Sequence, residues 1–171
     1  FFNKKNPELD KPRLLYVGRM RVEKGIFSLT KILNEINIDF EFSVVGGDKE
    51  KFGKEDINNK KIIFCPFYNK TEQLINCYDN HNIFILPSFT EAHPKVIDES
   101  LARGRPVIIF EEIKHIIQNR KGIFVSKRNS KSLLEMINFI IKNYEIIQKS
   151  MQTNTLPTKK DFILQMTSIL S

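Results

Sequence analysis

Residues 83–110 read Ile83-Phe-Ile-Leu-Pro-Ser-Phe-Thr-Glu-Ala-His-Pro-Lys-Val-Ile-Asp-Glu-Ser-Leu-Ala-Arg-Gly-Arg-Pro-Val-Ile-Ile-Phe110. The apolar run Ile83 to Leu86 is that of a buried strand, Pro87 to Thr90 turn the chain, a helix follows, and Gly104 leads into a second strand from Pro106 to Phe110. Open α/β sheets bind ligands at the carboxyl ends of their strands, and the loop 87–94 falls at such an end. Pro94 suits the first helical turn, where its missing N–H costs nothing, so the backbone N–H groups of residues 92–96 are expected to face an anion. Glu91 then lies in the loop and Glu99 in the second turn. Eight residues of helix span about 12 Å, which places the two carboxylates at two ends of an elongated ligand. The same spacing has a plain counterpart: Lys95, Glu99 and Arg103 stand at i, i+4 and i+8, as in a solvated salt-bridge stripe. Spacing alone leaves both open.

Working outward, strand and helix signals alternate. Arg13 to Val17 is a short strand ending at Gly18, and Ile26, Leu29, Leu33 and Ile36 mark a helical face. Phe40 to Val45 is a strand stopped by Gly46-Gly47, and Lys61 to Cys65 is a third, ended by Pro66. Thr71 to Tyr78 reads as a helix with Leu74, Ile75 and Tyr78 inward. After the segment quoted above come a short helix from Glu111 to Asn119, a strand from Gly122 to Val125, and an amphipathic helix from Ser130 to Tyr144 with Ser130 as N-cap. The alternation predicts an α/β, Rossmann-like three-layer domain with a mainly parallel sheet over residues 1–152. Residues 153–171 are expected to form a linker, broken by Pro157, and a last helix from about Lys159 to Leu170.

The 171 residues suffice for one domain, and 41% hydrophobic with 27% charged residues is a globular composition. No apolar run reaches the ~20 residues of a membrane span. The chain begins at Phe1 rather than Met, so an upstream segment is expected to be missing. The net charge of +7 is scattered over lysines rather than gathered on one helix, and no recognition helix, aromatic RNA-binding motif or zinc spacing accompanies it, so nucleic acid is not an expected partner. Cys65 and Cys77 form no C-x-x-C pair and fit small buried thiols in a reduced compartment.

Ser88, Glu91, Glu99, Ala102, Gly104, Pro106 and Val107 stand in register with the E-x7-E signature of retaining glycosyltransferases of the GT-B fold, in their large family 4 group. Tyr16-Val-Gly-Arg-Met-Arg-Val-Glu-Lys-Gly25 resembles the strand-Gly-Arg…Lys-Gly loop of the same family. The two motifs come in the family's order, and the resemblance covers about Arg13 to Tyr144. It implies the C-terminal, donor-binding half of a GT-B transferase, whose last helix crosses back to a missing N-terminal acceptor domain. It further implies a nucleotide-diphosphate sugar donor, a UDP-sugar first, and a glycan or lipid-linked acceptor. The cysteine usage points to a cytoplasmic setting, with peripheral attachment at the inner membrane face compatible.

By the same resemblance, Arg19 and Lys24 grip the diphosphate, Glu91 accepts hydrogen bonds from the transferred sugar, and Glu99 holds the ribose hydroxyls. Two cations neutralising the departing oxygens make a metal unnecessary, and no cofactor is implied. Gly18 lets the backbone pass beneath the diphosphate, Ala92, His93, Pro94, Lys95 and Val96 supply the sugar and phosphate loop, and Phe67 and Tyr68 occupy the base-contacting place or simply pack. The chain departs from the family pattern at Ala92 (usually Gly), Ser100 (usually Ala) and Pro66 (often Gly), which opens the way to an unusual donor. Rival activities remain. A glycosidase would need its carboxylates about 5 to 9.5 Å apart, against the spacing here. A nucleotide-sugar epimerase of GT-B type, or a non-catalytic or split donor-binding module awaiting a partner chain, fits the fold alone.

Overall fold

The computed structural model describes residues 7–47, 50 and 62–157; the expected helix from Lys159 to Leu170 lies outside them. Six strands form one sheet: β1 (Arg13–Val17), β2 (Glu41–Val45), β3 (Ile62–Cys65), β4 (Ile83–Leu86), β5 (Val107–Phe110) and β6 (Ile123–Ser126). Their order is β3-β2-β1-β4-β5-β6 and every pairing is parallel. The helices are α1 (Ile26–Asn34), α2 (Thr71–Asp79), α3 (Lys95–Ala102), α4 (Ser130–Lys142) and α5 (Tyr144–Met151).

The expected α/β fold is the observed one, for the reason the sequence offered. All four side chains of β4 and of β5 are buried, which is what a parallel strand covered on both faces demands of unbroken apolar runs such as Ile83-Phe-Ile-Leu86. The chain runs outward from β1 to β2 and, on the other side, from β4 to β5. Right-handed crossovers in opposite directions set α1 and α3 on opposite faces of the sheet. The reversal of strand order falls between β1 and β4, and the crevice outside their carboxyl ends is the position where such sheets take ligands.

Local details correct the sequence reading. The N-cap of α4 is Asn129, whose side chain accepts from the Ser132 N–H at 2.9 Å, so Ser130 is already helical. The helix stops at Asn143, and a separate α5 follows; there Tyr144, Ile147 and Met151 are buried, a periodicity masked by the intervening Glu145, Gln148 and Lys149. The expected short helix after β5 is a kinked 3-10 segment, Glu111–Ile117, and ends before Asn119. Pro94 is extended and precedes α3 rather than opening its first turn.

At the amino end of β4, the fully buried Asn82 ties the segment before β1 to the sheet. Its Oδ1 accepts the Arg13 N–H at 2.8 Å, and its amide nitrogen donates to the carbonyls of Glu8 and Lys11 at 3.1 and 2.9 Å. Its own carbonyl accepts the Tyr144 hydroxyl at 2.6 Å. Asn82→Leu is expected to cost about 1–3 kcal/mol in denaturant unfolding, because the part-buried Arg13 N–H and two carbonyls lose their partners. Asn82→Asp should cost a similar amount, since a carboxylate would face two carbonyls. Stability within 0.5 kcal/mol of wild type, as for an ordinary surface change, would show the network to be incidental.

Candidate functional site

Two loops meet outside β1 and β4. The first runs from Gly18 through the single 3-10 turn Val22–Lys24 to Gly25, which has φ +67° and starts α1. The second is Pro87 to Pro94. A Cβ at Gly25 would lie 1.9 Å from the Pro87 carbonyl oxygen, so only glycine allows the two backbones to close on each other here. The Phe89 N–H donates to the Glu23 carbonyl at 3.0 Å across the same junction.

On that junction Lys24 Nζ stands 2.6 Å from Glu91 Oε1. The buried Ser88 hydroxyl donates to the same oxygen at 2.7 Å. The Lys24 and Glu91 side chains are 28% and 10% exposed, open enough to exchange partners with a ligand and dry enough for the charges to matter. Tyr16, wholly buried in β1, donates to the Arg19 carbonyl at 2.9 Å and so shapes the start of the first loop. Burial first, and then the charges of Glu91 and Glu23, push its phenol well above the ordinary value, so it remains a donor. His115, from the segment after β5, places Nε2 2.9 Å from the Glu91 carbonyl; a carbonyl only accepts, so this nitrogen carries the proton.

Glu99 has a different partner. Its Oε2 accepts the hydroxyl of buried Tyr78, from α2, at 3.0 Å. Burial, followed by the Glu99 charge, raises the Tyr78 phenol strongly and keeps it protonated. Arg103 makes a two-pronged contact with Asp79, Nε to Oδ1 at 2.8 Å and Nη2 to Oδ2 at 2.6 Å, with only 8% of its side chain exposed. Glu99 and Arg103 are thus built into the α2–α3 junction and are no simple solvated stripe.

The structure brings Gly18, Arg19, Lys24 and Glu91 to one end of the sheet. The Gly18 N–H donates to the Val45 carbonyl at 3.1 Å, and the Arg19 side chain is exposed. Phe67 joins them: its half-exposed ring packs on Gly46, whose φ is +80° and where a Cβ would meet the ring at 2.4 Å and the Gly18 carbonyl at 2.8 Å. Tyr68 instead packs against the core with its hydroxyl beside the thiols of Cys65 and Cys77. Ala92 and Lys95 are exposed, Val96 is half-buried and Pro94 is buried. His93 Nε2 sits 3.3 Å from Asp98 Oδ2, and Asp98 is also held by Arg120 at 2.6 Å, so His93 is turned toward α3. Sequence reasoning missed the supporting shell of Tyr16, Ser88, Tyr78 and His115. Ser88 and Tyr16 stood within the two quoted motifs without a role of their own, Tyr78 carried only a core signal, and nothing in the spacing of His115 pointed to Glu91.

A Rossmann-like sheet with two motif loops joined at its switch point defines a class of ligand-binding α/β domain. The family described as "Glycosyl transferases group 1" matches residues 1–156, and the chain belongs to it. The N,N'-diacetylbacillosaminyl-diphospho-undecaprenol alpha-1,3-N-acetylgalactosaminyltransferase of Campylobacter jejuni is 22% identical over 83% of this chain and 39% of its own length. Among solved structures, sucrose-phosphate synthase from Thermosynechococcus elongatus superposes with a TM-score of 0.75 at 21% identity, covering 95% of this chain and 45% of that one. The Anabaena HepE protein, in complex with UDP-glucose, superposes with a TM-score of 0.66 at 18% identity, covering 84% of this chain and 43% of that one. The chain spans about two fifths of the length of the curated relatives it matches, and this coverage fits one domain, the C-terminal one, of the two-domain GT-B fold. No described helix is long and apolar enough to cross a membrane.

The Lys24–Glu91 pair should show its depth in a double-mutant cycle. Lys24→Met, Glu91→Gln and the double variant, compared by urea unfolding, are expected to give a coupling of about 1–2 kcal/mol, above the range of exposed pairs. A coupling near zero would mean that the contact does not join the loops in solution.

Proposed function

We propose that this domain binds a nucleotide-diphosphate sugar, a UDP-sugar, in the crevice outside β1 and β4. It then serves retaining, metal-independent transfer of that sugar to a glycan or lipid-linked acceptor, together with an N-terminal GT-B domain that carries the acceptor site. The observation that carries the proposal is the 2.6 Å contact of Lys24 with Glu91, because it unites two motifs separated by 67 positions at the ligand-binding end of the sheet. Family membership and the UDP-glucose bound to the HepE protein support the donor class.

In this mechanism Lys24 leaves Glu91 for the diphosphate when the donor enters, and Arg19 reaches the same group from its exposed position. Their positive charge stabilises the phosphate oxygen that gains electrons as its bond to the sugar breaks, the work a metal would otherwise do. Glu91, still held by Ser88 and through its backbone by His115, takes hydroxyl donors of the sugar. Glu99, braced by Tyr78, accepts the ribose hydroxyls. The N–H groups of Ala92 and His93, before α3, and of Lys95 and Val96, in its first turn, complete the cradle, and Phe67 lies beside Gly18 where a base can stack. Because Tyr68 packs against the core, this reading assigns the base contact to Phe67.

Calorimetric titration with UDP and UDP-glucose, chelator present, tests these roles. Lys24→Ala is expected to weaken both ligands by about 10- to 100-fold, the value of one charge-assisted hydrogen bond. Glu99→Gln should weaken both as well, whereas Glu91→Gln should weaken UDP-glucose without weakening UDP, because it also frees Lys24 for the diphosphate. Wild-type affinity for both ligands in Lys24→Ala would sink the diphosphate assignment, and equal losses of both ligands in Glu91→Gln would sink the sugar assignment.

A further inference from the structure

Arg128, on the loop after β6, has no part in the donor roles above, yet its guanidinium reaches the loops that follow β1, β4 and β5. It lies 4.1 Å from the ring centre of Phe89, on the Glu91 loop, and 4.3 Å from that of Phe110, at the end of β5. Nε donates to Glu112 Oε1 at 2.7 Å and Nη2 lies 3.4 Å from the Ser88 carbonyl. Nη1 is buried without a hydrogen-bond partner among the described residues, at the spot where a Cβ on Gly25 would come within 3.3 Å of it. Only 14% of the side chain is exposed. A charged group left one donor short inside a protein is a cost, so its place there needs a return.

We propose that Arg128 is a positioning residue of the donor site, a planar wedge that fixes the Glu91 loop against the Gly25 turn so that Lys24 and Glu91 meet. The proposal rests on the donor reading for its effect on ligand, but not for its effect on the loops. The guanidinium suits the task because it is flat, stays charged, stacks on aromatic faces and donates in several directions at once. Phe89 is the hinge of the device. Its ring carries the guanidinium, while its own N–H holds the Glu23 carbonyl. A lysine would keep the charge beside Glu112 yet lose the stacking plane and the fixed fork that lets one side chain reach both Glu112 and the Ser88 carbonyl.

Arg128→Lys is therefore the discriminating variant, and Arg128→Gln, nearly as long and uncharged, is a second one should the first unfold. Amide exchange by NMR compares the Phe89 N–H with Val44 N–H in the central sheet. Phe89 exchange is expected to rise about tenfold while Val44 holds its wild-type rate, and UDP-glucose affinity to fall about tenfold, the scale of a desolvated cation–π contact. Acceleration of both amides in proportion would mean general destabilisation and would overturn the proposal. Faster exchange at Phe89 with unchanged affinity would overturn it, as would lost affinity with Phe89 still protected. If the wild-type chain binds no nucleotide sugar, the donor reading is what has failed, and the exchange arm alone decides whether Arg128 holds the two loops together.

Discussion

The close crossing of the Gly25 turn over the Pro87 carbonyl is the constraint on which the site depends. No side chain fits at Gly25, and its left-handed φ suits glycine in any case. With the two backbones in contact, the Phe89 N–H meets the Glu23 carbonyl and Lys24 meets Glu91. A partly buried ion pair is a poor source of net stability, because desolvation offsets much of the attraction. Its value here is geometric. It sets a cation and a carboxylate, both proposed to meet the donor, at the mouth of the crevice between β1 and β4.

Around this pair the fold builds rigid support from elements whose main role is packing. Tyr16 in β1 and Tyr78 in α2 are core residues by burial, and each extends a hydroxyl toward the site, one to the Arg19 carbonyl and one to Glu99. Each hydroxyl is kept protonated by burial and a neighbouring carboxylate. In part the arrangement separates two tasks: Arg19 and Glu91, proposed to touch the ligand, sit on loops, and Tyr16 and Tyr78 brace the site from a strand and a helix, whereas Glu99 is itself on α3. Such a division holds loop side chains in position without burying them.

Much of this was legible in the sequence. Strands β4 and β5 could be read from Ile83-Phe-Ile-Leu86 and Val107-Ile-Ile-Phe110 because a parallel strand buried on both faces must be apolar throughout. The loops could be read from glycines and from the resemblance of two motifs. The contact between Lys24 and Glu91 could not, since it depends on strand order, and nothing local says that β4 lies next to β1. The Asn129 cap was obscured by the adjacent Ser130, an equally good capping residue, and α5 by its polar surface. Tyr68 was paired with Phe67 on adjacency alone. The extended chain after β3 points successive side chains in different directions, one toward Gly46 and the other toward the core.

A crystal structure of the chain with UDP-glucose bound, grown without divalent metal, tests the central claim most directly. The account predicts the diphosphate within hydrogen-bonding distance of Arg19 and Lys24, Lys24 drawn off Glu91, the sugar hydroxyls on Glu91 and the ribose hydroxyls on Glu99. A nucleotide seated elsewhere, or one seated in the crevice with Lys24 still on Glu91 and the diphosphate held by other groups, would contradict it.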